Sequence, residues 1–209
     1  MYMPPHFKEE RPEVLRALMA EFPLAALVTI GAEGLTANHI PMLYDPEPAP
    51  WGTLRGHLAR ANRQWQNFQP EIDVLAIFQG PQAYISPNWY PTKHEHGRAV
   101  PTWNYATVHA YGRLTVFSDA ERLRRFLDAL TATHEAAQAK PWAPADAPPD
   151  YIDALLGAIV GIEIAVNRLE GKWKVSQNQV LQNRDGAAEG LEAVGKHDMA
   201  SLITSFIKA

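Results

Sequence analysis

Residues 106–117 read ATVHAYGRLTVF. Val108, Ala110, Leu114 and Val116 fall on one parity, and Thr107, His109, Tyr111, Arg113 and Thr115 on the other. This is the period-two alternation of a half-buried strand. One such strand must lie in a sheet, and the flanking sequence supplies its partners. Leu24–Ile30 (LAALVTI) reads as a buried strand, Gly31-Ala32-Glu33-Gly34 as a turn, and Leu35–Tyr44 as the hairpin return. In TLRGHL (53–58) Thr53, Arg55 and His57 share one face, with Leu54 and Leu58 on the other. Val74–Phe78 is a continuous apolar run suited to a central strand. In Ile159–Leu169 the residues Val160, Ile162, Ile164 and Val166 alternate with Glu163 and Asn167. Gly171 is read as a turn into a last strand, KWKVSQN (172–178), with Lys172, Lys174 and Ser176 opposite Trp173, Val175 and Gln177.

Helices are predicted around this sheet. Pro12 suits a first helical position, and Val14, Leu15, Leu18, Met19 and Phe22 give helical spacing over 11–21, stopped by Pro23. Ser118-Asp119-Ala120-Glu121 reads as a capping box before the stripe Leu123, Phe126, Leu127 and Leu130. A short helix is expected near 150–157, and two more over 184–193 and 198–208. The proline-rich 141–150 (PWAPADAPPD) is too short to separate domains. Short strands with peripheral helices predict a mainly β (α+β) chain, an antiparallel β-barrel formed by a single domain over 1–209 with a C-terminal helical extension.

Composition narrows the function. With 19 basic and 23 acidic residues the net charge is −4, which gives no overall basic footprint for nucleic acid. Cysteine is absent, removing disulfides, thiolate nucleophiles and Cys-ligated metals. No apolar signal core opens the chain, and the longest apolar stretch, Leu155–Ile162, is too short to span a bilayer. The expectation is a soluble, cytoplasmic protein. No G-x-G-x-x-G follows a strand, Gly171-Lys172 lacks Walker spacing, and no G-x-S-x-G elbow exists.

The richest stretch is Gln79–Tyr105, QGPQAYISPNWYPTKHEHGRAVPTWNY. It reads as a long, proline-stiffened excursion between two strands, carrying Tyr84, Trp89, Tyr90, Trp103 and Tyr105. Lys93, His94, His96, Arg98 and Asn104 add donors, a mixture that suits a planar, anionic ligand or an aromatic loop packing on itself. His94-Glu95-His96 favours a solvated loop over a metal site, because no spacing selects a third ligand. His57, Arg60 and Asn62 gather at one strand end, and Lys174 and Ser176 share another face. Both groups have the donor types that hold a phosphate.

Several of these blocks together carry a family resemblance. NHIPM (38–42), GHLARAN (56–62), FQGPQAYISPNWYP (78–91), VPTWNYATVHAYG (100–112), VGIEI (160–164) and GKWKVSQN (171–178) resemble the PaiB family of FMN-binding negative transcriptional regulators. The resemblance implies an FMN-binding split β-barrel that forms a homodimer with the flavin between subunits. It places His57, Arg60 and Asn62 near the phosphate or ribityl chain. Ser86, Trp89, Thr102, Trp103 and Asn104 would line the flavin, and Lys174, Ser176, Gln177 and Asn178 would complete the site. It names no catalytic residue and no metal.

Three readings follow. The first is a PaiB-type regulator, acting on DNA directly or indirectly, although no helix-turn-helix is visible. The second is an FMN-dependent oxidoreductase, a flavin reductase or oxidase on a small substrate, in which flavin supplies the redox chemistry. The third places haem against His39, His57, His94, His96 or His109.

Overall fold

The computed structural model describes residues 1–48 and 50–205. Its chain order begins with strand β1 (Lys8–Glu9), helix α1 (Pro12–Glu21) and strands β2 (Leu24–Gly31), β3 (Gly34–Pro41), β4 (Leu43–Asp45) and β5 (Thr53–Ala59). Then come β6 (Val74–Ile85), α2 (Pro91–His96), β7 (Thr102–Phe117), α3 (Ala120–Glu135), α4 (Pro149–Gly157), β8 (Ile159–Lys174), α5 (Leu181–Ala193) and α6 (His197–Ser205). The strands form one eight-stranded sheet in the order β3-β2-β6-β7-β8-β5-β4, with β1 added on β8. The β1–β8, β2–β3, β2–β6, β4–β5 and β5–β8 pairings are antiparallel. The path of pairing is open, with β3 and β4 at its ends. This is the antiparallel, helix-decorated sheet that the alternating runs predict.

Four local readings are corrected. The hairpin return ends at Pro41, and Leu43–Asp45 forms a separate strand paired with β5, because the Met42 amide turns to bond Pro23 O at 2.9 Å. The excursion over 79–105 is far shorter than the prolines suggest. β6 runs on through Pro81 to Ile85, β7 begins at Thr102, and α2 with a 3₁₀ turn at Pro87–Trp89 fills most of the gap. Gly171 does not turn the chain, since it pairs with Glu9 inside the continuous β8, and the chain leaves strand geometry after Lys174. Asp119 rather than Ser118 caps α3, its carboxylate accepting from Arg122 N at 2.8 Å. The predicted helix over 198–208 is observed as His197–Ser205, and its last positions lie outside the described residues.

Packing divides the chain into two compact units. The first comprises Met1–Phe22, Phe78–His109 and the chain from Glu170 onward; the second comprises Pro23–Ile77 and Ala110–Leu169. In the first, α1 buries Leu15, Leu18 and Met19 of its apolar stripe while Val14 and Phe22 are only partly buried, and Phe78, Ile85, Val108, Trp173 and Leu191 are also buried. In the second, the tight turn between β2 and β3 relies on Gly34 at φ +100°. There Phe117, Leu123, Ile152 and Leu156 cluster where α3 and α4 pack together.

Candidate functional site

In the second unit the GHLARAN block is committed to structure. Arg60 sits at the end of β5, its Nε donating to Gly157 O (2.8 Å) and its Nη2 to Ile159 O (2.9 Å). The guanidinium thus ties β5 to the α4–β8 junction. Asn62 caps the 3₁₀ turn at Arg63–Trp65, accepting from Gln64 N at 3.1 Å. That turn inserts the buried Gln64, whose amide donates to Leu27 O and Thr29 Oγ1 and accepts from Asn38 Nδ2. His57 is half-buried with its ring 5.9 Å from that of Phe126, edge to face. Its Nδ1 is buried without a partner, and burial pushes the imidazole below its usual pKa.

A cleft of about 520 Å³ also lies in this unit, lined by Tyr44, Asp45, Arg55, Phe117, Arg122 and Phe126 among others. None of the sequence candidates lines it, and its cations are matched. Arg55 bonds Asp45 (2.7 Å) and Glu163 (2.8 Å), and Arg122 also reaches Glu163 at 2.7 Å.

The first unit gathers more of the candidates. At the start of β7, Thr102 and Trp103 meet Lys174 at the end of β8. Lys174 Nζ donates to Thr102 Oγ1 and, at 2.9 Å, to Trp103 O. On the buried side Asn104 Nδ2 donates to Ser176 Oγ at 2.8 Å, both residues being almost wholly buried. Asn104 Oδ1 is left without a partner. Ser176 takes φ +64°, a left-handed conformation uncommon for a residue with a Cβ, and the neighbouring Tyr90 hydroxyl is raised by burial. Gln177 braces the same turn by accepting from Val175 N at 2.8 Å, and Asn178 is exposed. Ser86 caps the Pro87–Trp89 turn through Asn88 N at 3.2 Å. Trp89 lies against α5 at Gly190 and Gly186, so its ring is held by a helix. His94 and His96 end the helical α2 and are exposed. Residues i and i+2 of a helix point apart. Among the described residues no three His, Cys, Asp or Glu groups converge as a metal site.

Two features escape a reading based on isolated motifs. β6, β7 and β8 are neighbours, and their outward parity brings Tyr84, then Trp103 and Tyr105, then Lys172 and Lys174 into one row. The Tyr84 and Trp103 rings meet edge to face at 6.2 Å, both about half exposed, and Trp103 Nε1 donates to Gln82 Oε1 at 2.7 Å. At the row's other end Lys172 is only 7% exposed. Its Nζ donates to Tyr2 O at 3.0 Å and lies 5.4 Å from the Tyr105 ring centre. Burial lowers the Lys174 pKa, Tyr105 opposes that shift, and the charge on Lys172 adds to it. Extending the alternation of β7 back to Thr102 is the sequence signal that finds this row.

The profile of the family described as "Putative FMN-binding domain" matches residues 1–168. The chain belongs to that family. The PaiB-type protein named protease synthase and sporulation protein PAI 2, from Bacillus subtilis, is 32% identical over 179 residues, covering 86% of this chain and 83% of its own. An uncharacterized protein of Emericella nidulans is 32% identical over 243 residues, covering 100% of this chain and 96% of its own. The FAD and haem binding protein of Mycobacterium smegmatis superposes with a TM-score of 0.54 at 15% identity, over 80% of this chain and 73% of that one. At that identity the likeness concerns the fold, which is the split-barrel arrangement implied by the motifs. FMN is the family's cofactor. The residues present fit it: flat apolar ring faces stand exposed beside ammonium groups that no carboxylate of the described residues pairs with.

Proposed function

We propose that the chain is an FMN-binding protein of the PaiB type, a cytoplasmic negative transcriptional regulator that holds its flavin on the outward face of β6, β7 and β8 at a homodimer interface. The observation that carries this reading is the exposed Tyr84–Trp103 pair beside Lys174 in a chain of an FMN-binding family. Trp103 and Tyr84 offer the isoalloxazine a ring face, and Thr102 and Trp103 O fix the Lys174 ammonium next to it. When bound, FMN supplies one- and two-electron redox chemistry that no side chain here provides. A second subunit is supported by the exposure of Val100, Trp103 and Tyr84 together, an apolar surface that a lone chain leaves in water. The acidic net charge favours regulation without extensive phosphate contacts to DNA. Among the described residues no helix is long and apolar enough to cross a membrane.

The test is a fluorescence titration of ligand-free protein with FMN, with Trp103→Ala alongside and sedimentation of both. Wild-type binding and dimerisation, with affinity lost in the variant, are the expected results. Undiminished FMN affinity in a folded Trp103→Ala protein would move the flavin off this face.

A further inference from the structure

Lys172 and Lys174 are a buried and a half-buried lysine two residues apart on one strand face, a backbone spacing of about 6–7 Å. An ammonium taken from water costs several kcal/mol unless an opposite charge meets it. No described carboxylate forms an ion pair with either lysine, and the nearby acids are committed. Glu9 is bonded by Arg11 (2.6 Å), Glu10 pairs with Lys8, and Glu170 accepts from the N-terminal ammonium at 2.9 Å. Lys8 is the cross-strand partner of Lys172, so the neighbouring strand adds another cation and no spare anion. An ammonium has three N–H donors. Lys172 commits one to Tyr2 O, and Lys174 commits two, to Thr102 Oγ1 and Trp103 O. Donors on both remain for an oxyanion, and the Tyr2 and Tyr105 rings partly screen Lys172 meanwhile.

We infer that Lys172 and Lys174 form a subsite for a phosphate monoester dianion, with Lys172 the buried anchor. This rests on the flavin reading only for the identity of the phosphate. The phosphate is that of FMN itself or that of a second, phosphate-bearing ligand placed against the same aromatic row. Two charges of one sign this close match a dianion better than a monoanion.

The experiment compares wild type, Lys172→Met and Lys172→Arg in three arms: FMN titration, riboflavin titration, and melting in phosphate against chloride at equal ionic strength. FMN is expected to bind wild type at least tenfold tighter than riboflavin. Lys172→Met is expected to lose about tenfold to a hundredfold in FMN affinity with riboflavin unchanged, and Lys172→Arg to retain most of it. In phosphate-free buffer Lys172→Met is expected to melt above wild type, because it removes an unmatched charge; a purely structural lysine would give the opposite. FMN and riboflavin binding alike, with a phosphate stabilisation that needs Lys172, would assign the subsite to a second ligand. The same stabilisation with no flavin binding would sink the FMN reading and leave the subsite standing. An FMN preference that survives in Lys172→Met, with phosphate stabilisation intact, would overturn the subsite and leave the FMN reading. Should Lys172→Met not fold, wild type alone decides, since neither FMN preference nor phosphate stabilisation there refutes the subsite.

Discussion

Gly190→Ala in α5 should destabilise the protein, although alanine is the better helix former. A Cβ at position 190 would stand 2.3 Å from Trp89 Cδ2 and 2.4 Å from Cγ, distances that require movement. The ring has little room to retreat, because Trp89 O is itself placed 2.1 Å from where a Cβ of Gly186 would be. Glycine to alanine inside a helix gains up to about 1 kcal/mol, whereas forcing a methyl into a packed contact costs about 1–3 kcal/mol, more where backbone is fixed. The overlap wins, and a net loss of about 1–2 kcal/mol is expected by urea unfolding followed by far-UV circular dichroism. The decisive step is the same change in Trp89→Ala. With the indole gone the overlap disappears, and Gly190→Ala should stabilise by up to about 1 kcal/mol, a coupling of about 2 kcal/mol or more. Gly186→Ala meets the carbonyl of residue 89, which Trp89→Ala leaves in place, so it should destabilise in both backgrounds. A stabilising Gly190→Ala in the otherwise wild-type chain would refute the view that Trp89 is clamped by the helix.

Arg60→Ala loses both carbonyl contacts, to Gly157 and Ile159, and should lower stability by about 1–2 kcal/mol. An FMN defect at unchanged urea midpoint would instead assign Arg60 to the cofactor. For Glu163, burial works to raise the pKa, but the bonds and charges of Arg55 and Arg122 outweigh it and hold the carboxyl below 4.5. The unfolded chain therefore takes the proton first as pH falls below about 4.5, so stability declines there, and Glu163→Gln should flatten that limb. His57 is likewise depressed, here by burial alone, so its contribution is present above the usual 6.5 and is lost as pH falls through the folded value. His57→Phe, packed against Phe126, should remove a sloping step below pH 6.5 in a plot of urea midpoint against pH, and an unchanged slope would exclude it.

The β-rich fold was legible because most strands alternate in sequence as they do in the sheet, β7 most clearly. Two of the four corrections fall at a proline and a glycine inside strands. Pro81 lies within β6, and Gly171 lies within β8 where Leu15 Cδ2 would sit 2.2 Å from a Cβ. That glycine is there for a helix packed against the strand, a tertiary cause with no signature in the local sequence. The same limit applies to Met42, whose amide leaves the strand for Pro23 O. Local pattern cannot announce a partner 19 residues away in the chain.

The site was harder to read because one residue type serves two purposes. Asn62 and Arg60 are residue types of a phosphate site, but in the fold Asn62 Oδ1 accepts from Gln64 N in a 3₁₀ turn and the Arg60 guanidinium donates to two carbonyls. Asn104 Nδ2 is taken up by Ser176 Oγ, whereas Lys172, outside the candidate set, is buried without an ion-pair partner among the described residues. What separates a binding group from a structural one is therefore whether its hydrogen-bonding and charge needs are already met. That property belongs to the folded chain. The shared parity of Lys172 and Lys174 is its precondition in the sequence, and only the positions of Glu9, Glu10 and Glu170 reveal that these nearby acids already have other partners.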